Sequence, residues 1–205
     1  MRPSRKDDLI DGATRAFERA GFHATSLDTI LAEAGVSRMT LYNHFGSKDE
    51  LIVAALERYA RRSRTHLFET LAEAADDPCE RLVALFDALS EWLTGGRFSG
   101  CMIARACAEF DDEHAPARRV AAEHCRRIAE GLGEIAAEAG LREPWALGRQ
   151  LAILRAGAIE VARELGASGA GEVAAGAKAA ARAAIEAHRV DRGLRGTDQR
   201  SSTLQ

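Results

Sequence analysis

The stretch at residues 25–48, TSLDTILAEAGVSRMTLYNHFGSK, limits what this chain can fold into more than any other part of the sequence. Apolar residues recur at helical spacing in its first part, and Gly35 then ends that helix, because glycine adopts the left-handed conformation without steric cost. Ser37 can cap a second short helix over residues 38–45. The pattern therefore predicts two helices joined by a tight turn, a helix-turn-helix unit.

The second helix of this unit carries many groups that can reach a base edge. Leu41 and Phe45 lie four residues apart on one side, which leaves the other side chains facing outward. Arginine and asparagine can each form two hydrogen bonds to a base, hydroxyls can bond phosphate, and methyl groups can touch thymine. A capping box at residues 47–50 opens the next helix, whose amino end suits a phosphate. The predicted DNA contacts are Thr25, Ser26, Arg38, Met39, Thr40, Tyr42, Asn43, His44 and Lys48.

This order of motifs resembles the amino-terminal DNA-binding domain of the tetracycline-repressor (TetR) family of bacterial one-component regulators. The resemblance covers residues 9–56, and Met39 departs from it, at a position where that family often has a small residue or proline. It implies a homodimer formed through the last two helices and an unknown small molecule that weakens operator binding. The matching segments are the helix end at residues 17–21, Thr25-Ser26, Ala34-Gly35-Val36-Ser37, Thr40-Leu41-Tyr42, His44-Phe45 and Ser47-Lys48.

The rest of the chain has the spacing of consecutive amphipathic helices, with a glycine-rich flexible connection predicted at residues 166–171. No segment has the alternating pattern of a credible strand. We therefore predict an all-α fold of about nine helices. Its parts are an N-terminal three-helix helix-turn-helix domain at residues 1–47, a C-terminal helical bundle for ligand binding and dimerisation at residues 48–190, and a disordered tail at residues 191–205.

The last helix is rich in alanine and buries little area by itself, so it needs a neighbour, for which a second copy of the chain is the natural candidate. One short recognition helix also reads too few base pairs to specify a genomic site. Both points favour a homodimer that binds a palindromic operator, and the resemblance to the family implies that this homodimer is a repressor. The predicted dimer contacts are Leu147, Leu151, Ala158, Val161, Ala177, Ala180, Ala181 and Ala184.

A histidine interrupts an apolar stripe in the seventh predicted helix. His124 is either a core residue with its hydrogen bonds satisfied or, if the body encloses a cavity, the polar contact for an effector. The predicted ligand contacts are Phe86, Leu89, Met102, Cys107, Phe110, His124, Ile128 and Leu154.

Four cysteines, Cys79, Cys101, Cys107 and Cys125, form no CxxC pair, so we interpret them as small buried thiols and predict no metal and no cofactor. A redox-sensing or metal-sensing regulator built from Cys101, Cys107, His124 and Cys125 is the alternative. An enzyme is the alternative from another class. The chain lacks GxGxxG, P-loop, HExxH and GxSxG motifs, so we predict that it is not an enzyme.

Charge is distributed unevenly along the chain. Residues 1–66 contain 11 Lys and Arg against 9 Asp and Glu, whereas residues 67–205 contain 17 against 22. The difference is compatible with a weakly basic DNA reader joined to an acidic body. The sequence has no run of eighteen apolar residues and no signal-peptide core, so no membrane partner is predicted and the cytoplasm is the expected compartment.

Overall fold

A computed structural model describes residues 4–96, 98–113 and 115–190 of the chain. Over these ranges the regular structure consists of nine α-helices and no strand, which confirms the all-α prediction. None of these helices combines the length and apolar character that crossing a bilayer requires. The tail predicted to be disordered, at residues 191–205, lies outside the described residues. The helices are α1 Arg5–Ala20, α2 Leu27–Ala34, α3 Arg38–His44, α4 Lys48–Ala74, α5 Pro78–Thr94, α6 Met102–Glu109, α7 Pro116–Glu138, α8 Pro144–Leu165 and α9 Ala167–Ala187.

Serine hydroxyls begin the helices of the amino-terminal domain. Ser26, Ser37 and Ser47 each accept a hydrogen bond from the amide three residues further on, at 3.1–3.2 Å. The predicted capping box after Ser47 is incomplete, because the Glu50 carboxylate accepts from the Gly46 amide, at 2.8 Å, instead of from the Ser47 amide. This contact still satisfies a free amide just before α4 begins.

The turn between α2 and α3 follows the sequence prediction. Gly35 has φ 63° and ψ 37°, a left-handed conformation that glycine adopts without strain. The amide of Val36 donates to the carbonyl of Leu31 at 3.2 Å, a helix-ending bond that reverses the chain. Gly12 lets α1 approach this unit closely, since a Cβ at that position would lie 2.7 Å from the Cβ of Ala34.

Helix α4 is shared by the two parts of the molecule. Its first half buries Leu51 and Leu56 in the core. The Arg58 guanidinium is 15% exposed and pairs with carboxylates on α1, with a distance of 3.2 Å between its Nη1 and the Oδ1 of Asp11. The apolar core and this ion pair both join α4 to α1.

Helices α5, α7, α8 and α9 form the carboxy-terminal bundle together with the second half of α4. The crossing of α7 and α8 is tight, because two glycines face each other there. A Cβ at Gly148 would lie 2.5 Å from the carbonyl oxygen of Ala129 and 2.6 Å from the nitrogen of Gly133. Neither contact is possible for a real side chain without moving a helix.

The prediction of a flexible connection at residues 166–171 is wrong. Only Gly166 interrupts the helices, with φ 69° and ψ −167°, and α9 begins at the next residue. Ala170 is 1% exposed and Ala174 is also 1% exposed, so the small residues of this segment are buried against the bundle. Tertiary packing overrides the low helix propensity of its glycines.

Candidate nucleic-acid interface

Helix α3 is fixed to the domain core by one side and leaves its other side uncovered. Leu41 is 0% exposed and Phe45, just after the helix, is 5% exposed. On the opposite side Met39 is 70% exposed and Tyr42 is 52% exposed. A helix anchored in this way presents its outer side chains on a rigid support, which is the arrangement that a major-groove reader needs.

Arg38 stands at the start of this outer surface and is held by an acidic neighbour. Its Nη2 lies 2.5 Å from the Oδ1 of Asp28, a residue in the first turn of α2. This hydrogen bond and the charge of Asp28 raise the pKa of Arg38, and Tyr42 contributes in the same direction. The guanidinium is therefore a permanent cation held across the two helices of the motif.

The other predicted DNA contacts on the surface differ in how free their polar groups are. Asn43 and His44 are exposed on α3. Ser26 is exposed, but its hydroxyl accepts from the Thr29 amide. Thr40 is half-buried, and its hydroxyl lies 3.0 Å from that of Ser37. A hydroxyl that already forms one hydrogen bond can still accept or donate a second, so both stay predicted contacts.

The prediction that the Thr25 side chain contacts DNA is wrong. Thr25 is 2% exposed, and its hydroxyl donates to the carbonyl of Gly21 at 2.5 Å, with the Ala16 carbonyl at 3.3 Å. A buried hydroxyl needs such partners, because an unpaired one would cost desolvation free energy. Its role is to join the end of α1 to the start of α2.

Lys48 begins α4, as predicted, but its ammonium group is turned inward. The Nζ atom donates to the carbonyl of Phe22 at 2.6 Å, and the residue is half-buried. A lysine ammonium has three donors, so one bond to a carbonyl leaves two for other acceptors. The phosphate contact at Lys48 stays a prediction.

Sequence reasoning missed the residues that join α6 to the amino-terminal domain. Glu109 accepts hydrogen bonds from the amides of Phe22 and His23, both at 2.8 Å. Arg105 donates from Nη1 to the carbonyl of Phe17 at 3.3 Å. These partners are 86–88 residues apart in the sequence, so no local pattern could have revealed them.

In the part of the chain that the structure describes, two of the predicted ligand contacts line different cavities. Met102 lines a cleft beside α1, whereas Phe110 lines a separate apolar groove beside the start of α4. Cys107 is exposed, and Leu154 is half-buried. The prediction that these residues share one pocket is therefore wrong for Met102 and Phe110. Phe86, Leu89 and Ile128 are packed in the core, at 0%, 4% and 2% exposure.

His124 is a core residue in this structure. It is 2% exposed, and its Nδ1 lies 3.4 Å from Nη1 of Arg64. Burial lowers the pKa of His124 to about 4, and the positive charges of Arg155 and Arg64 act in the same direction. The imidazole is therefore neutral at pH 7, and its surroundings disfavour the charged form.

The four cysteines differ in solvent exposure, whereas the prediction was that all four are buried. Cys101 is buried, Cys79 is half-buried, and Cys107 and Cys125 are exposed, all as free thiols. Although the last two are exposed, desolvation of their thiols raises the pKa of each, which lowers the fraction of reactive thiolate. Within the described ranges, no group of three or more His, Cys, Asp or Glu side chains could hold a metal ion.

Half of the predicted dimer contacts point into the protomer's own core and not toward a second copy. Leu147, Leu151, Ala158 and Ala181 are at most 5% exposed because they pack inside their own protomer. Val161 is 43% exposed, Ala180 is exposed, and Ala177 and Ala184 are half-buried, so these four stay predicted contacts. The apolar residues that α8 leaves uncovered are Trp145, Ile153, Val161 and Leu165, at 51%, 71%, 43% and 55% exposure.

Both parts of the chain match families of known proteins. The family described as bacterial regulatory proteins, tetR family, matches residues 9–55, and the one described as tetracyclin repressor-like, C-terminal domain, matches residues 78–143. The transcriptional activator FasR of Mycolicibacterium smegmatis is 34% identical over 92 residues, 45% of this chain and 42% of that protein. The transcriptional repressor DhaR of a Mycobacterium species is 29% identical over 105 residues, 51% of this chain and 52% of that protein.

The chain thus spans about half the length of the curated relatives that it matches. A solved structure gives a fuller match. A TetR-family transcriptional regulator from Streptomyces coelicolor superposes with a TM-score of 0.79 at 26% identity, over 90% of this chain and 95% of that one. With two family regions matched in order and this fold shared over nearly its whole length, the chain belongs to the TetR family of bacterial transcriptional regulators.

Proposed function

We propose that this protein is a transcriptional repressor that binds a palindromic DNA operator as a homodimer and is released by a small molecule. The outer side of α3 is the observation that carries the proposal. Arg38, Met39 and Tyr42 project from a helix whose other side is buried, and the guanidinium of Arg38 is held by Asp28 with Tyr42 beside it. Their donors and methyl groups are suited to reading base edges.

The homodimer is supported by the outer face of α8. Ile153 is 71% exposed and Val161 is 43% exposed, and their spacing of eight residues places them roughly 80° apart, on adjoining parts of the outer surface of the helix. An exposed apolar surface of this kind on a two-fold axis makes a self-complementary interface. Two α3 helices related by that axis can enter successive major grooves if they stand about 34–36 Å apart.

Repression is the direction that we propose, since DhaR is named a repressor, although FasR is named an activator. The direction is tested by transcription in vitro from the promoter upstream of this gene. We expect added protein to lower transcript yield. A rise in transcript yield would reverse the assignment while leaving DNA binding intact.

DNA binding is tested by fluorescence anisotropy with a duplex taken from the region upstream of the gene. We expect affinity for this duplex to exceed that for a shuffled duplex by at least about a thousandfold at physiological salt, the lower end for specific binders. The double substitution Met39→Ala and Tyr42→Ala should reduce this ratio. Glu69→Gln, an exposed change on α4, is the matched control. Equal affinity for both duplexes would contradict the proposal.

A further inference from the structure

A polar cleft lies where the amino-terminal domain meets the body, and we call it the junction cleft. It is bordered by α1, α4, α5 and the start of α6, and its volume is about 160 Å³. Sites for drug-sized ligands usually measure about 300–1,000 Å³, so this cleft suits a much smaller molecule. Its lining residues are Glu18, Tyr59, Trp92, Ser99, Gly100, Cys101, Met102 and Arg105.

Two opposite charges line the junction cleft without pairing with each other. Glu18 forms no ion pair with any described residue, and desolvation raises the pKa of its carboxyl group. Arg105 donates one hydrogen bond, from Nη1 to the Phe17 carbonyl at 3.3 Å, and has no carboxylate partner among the described residues. A guanidinium carries five donors, so most of the donors of Arg105 remain available.

Aromatic and hydroxyl groups complete the walls. Trp92 is held by an edge-to-face contact with Phe98, with ring centroids 4.9 Å apart. The Tyr59 hydroxyl lies 4.0 Å from the sulfur of Cys101, and burial keeps the pKa of Tyr59 well above its usual value, so the phenol stays protonated. Aromatic rings beside a carboxylate attract an ammonium group, whereas guanidinium and hydroxyl donors attract a carboxylate.

We propose that the junction cleft binds a small zwitterion of the amino-acid type. Its ammonium group pairs with Glu18 beside the rings of Tyr59 and Trp92, and its carboxylate pairs with Arg105. A molecule with only one of these charges would leave either the carboxylate or the guanidinium of the cleft unmatched. This complementarity selects zwitterions over simple amines and simple acids.

Such a ligand would act where the two parts of the molecule are joined. Glu18 belongs to α1, which packs on the helix-turn-helix, and Arg105 belongs to α6 and already bonds the carbonyl of Phe17 on α1. A carboxylate that draws the guanidinium of Arg105 toward itself strains this bond and changes how α6 holds α1. The assignment of the zwitterion as the effector therefore rests on the proposed function, whereas binding at the cleft does not.

The test is isothermal titration calorimetry of the full chain with each of the twenty proteinogenic amino acids. We expect at least one to bind, and we expect its decarboxylated amine and its deaminated acid each to bind at least about tenfold more weakly, the loss of one charge-assisted pair. Glu18→Gln should weaken the same amino acid about tenfold. Glu91→Gln, an exposed acid on α5 outside the cleft, is the matched control and should change nothing.

Binding by none of the twenty, or binding that Glu18→Gln leaves unchanged, would overturn the proposed site. Operator affinity is measured in the same samples, with and without the bound amino acid. If the protein without any amino acid does not bind DNA specifically, the proposed function is contradicted, whereas the proposed binding site in the cleft is not. Binding that depends on Glu18 but leaves operator affinity unchanged confirms the site and removes its role as the effector site.

Discussion

Polar side chains around the turn of the helix-turn-helix have two different roles. Thr25 has its hydroxyl buried against the carbonyls of Gly21 and Ala16, so it builds the domain. Arg38 has its guanidinium exposed beside Asp28, so it is available for the proposed DNA contact. We therefore expect a substitution at Thr25 to lower stability without changing DNA recognition, and a substitution at Arg38 to change DNA recognition.

Thr25→Val keeps the size of the side chain but removes the hydroxyl hydrogen that the carbonyls of Gly21 and Ala16 share. We expect the free energy of unfolding in urea to fall by about 1–2 kcal/mol, because buried carbonyls lose a donor. Discrimination between operator and shuffled DNA should stay unchanged in the folded protein. A Thr25→Val protein with full stability and weakened operator binding would restore the DNA contact that the structure argues against.

Arg38→Ala should reduce discrimination at particular base pairs by about tenfold, because a bidentate contact to a base is lost. The measurement compares anisotropy titrations of the operator with those of its single base-pair variants. Asp28→Asn should change the preference at the same base pairs, since Asp28 positions the guanidinium.

Lys48→Ala provides the contrast for Arg38→Ala. We expect it to weaken binding to all sequences and to lower the salt dependence of log affinity by about one unit, the effect of losing one phosphate contact. If both substitutions affected every sequence equally, the division between base and phosphate contacts would be wrong.

His124 should make stability depend on pH. Its pKa in the folded protein is about 4, below the usual 6.5, so the unfolded chain takes up a proton first as the pH falls. The neutral form is fully favoured above pH 6.5, and stability is lost between pH 6.5 and 4 by up to about 1.4 kcal/mol per unit. His124→Leu should flatten urea stability over this range. An unchanged slope would show that other groups cause the loss.

At the scale of helices, much of the fold could be predicted from the sequence, because most helix starts have a local signal, although α6 and α9 begin without a side-chain cap or a proline. Serine caps precede α2, α3 and α4, and proline begins α5, α7 and α8. Outcomes that depend on distant partners could not be predicted. Thr25 resembles an ordinary cap until α1 buries it, and no sequence pattern announces the hydrogen bonds that Glu109 accepts from the amides of Phe22 and His23.

The dimer contacts show the same limit for a whole helix. The apolar spacing of α8 revealed one face, and Leu147 and Leu151 on that face pack against the protomer's own core. The second apolar set, which includes Ile153, interrupts the polar side and is visible only when the core is known. A periodicity locates a buried face but does not say which partner buries it.

The α7–α8 crossing gives an element-scale prediction. Gly148→Ala should lower the free energy of unfolding by about 1–3 kcal/mol, because its Cβ would lie 2.5 Å from the Ala129 carbonyl oxygen and force the helices apart. Gly171→Ala, in α9, has no atom within 4 Å of its new Cβ and is the matched control. It should stabilise the protein slightly, since alanine favours helices. Similar urea midpoints for the two variants would contradict the close crossing.

For the whole molecule, the exposed apolar side chains of α8 around Ile153 should control assembly. Ile153→Asp places a charge in the proposed interface, where it would lose its hydration. We expect monomers by analytical ultracentrifugation, unchanged helix content by circular dichroism, and operator affinity reduced about a hundredfold because two linked readers become single. Glu69→Arg, an exposed charge change on α4, should leave the dimer intact. A dimeric Ile153→Asp protein would place the interface elsewhere.

In the proposed function, the two α3 helices of a homodimer bind two half-sites of one operator. The most direct test of this paired binding is a footprint of the full chain, at base-pair resolution, on the DNA upstream of its gene. We predict two protected half-sites related by a two-fold axis, with centres separated by one helical turn of about 10–10.5 base pairs or a multiple of it. Protection of both half-sites should disappear together in the Ile153→Asp protein. A single protected half-site, or no specific protection at physiological salt, would contradict a two-fold reader.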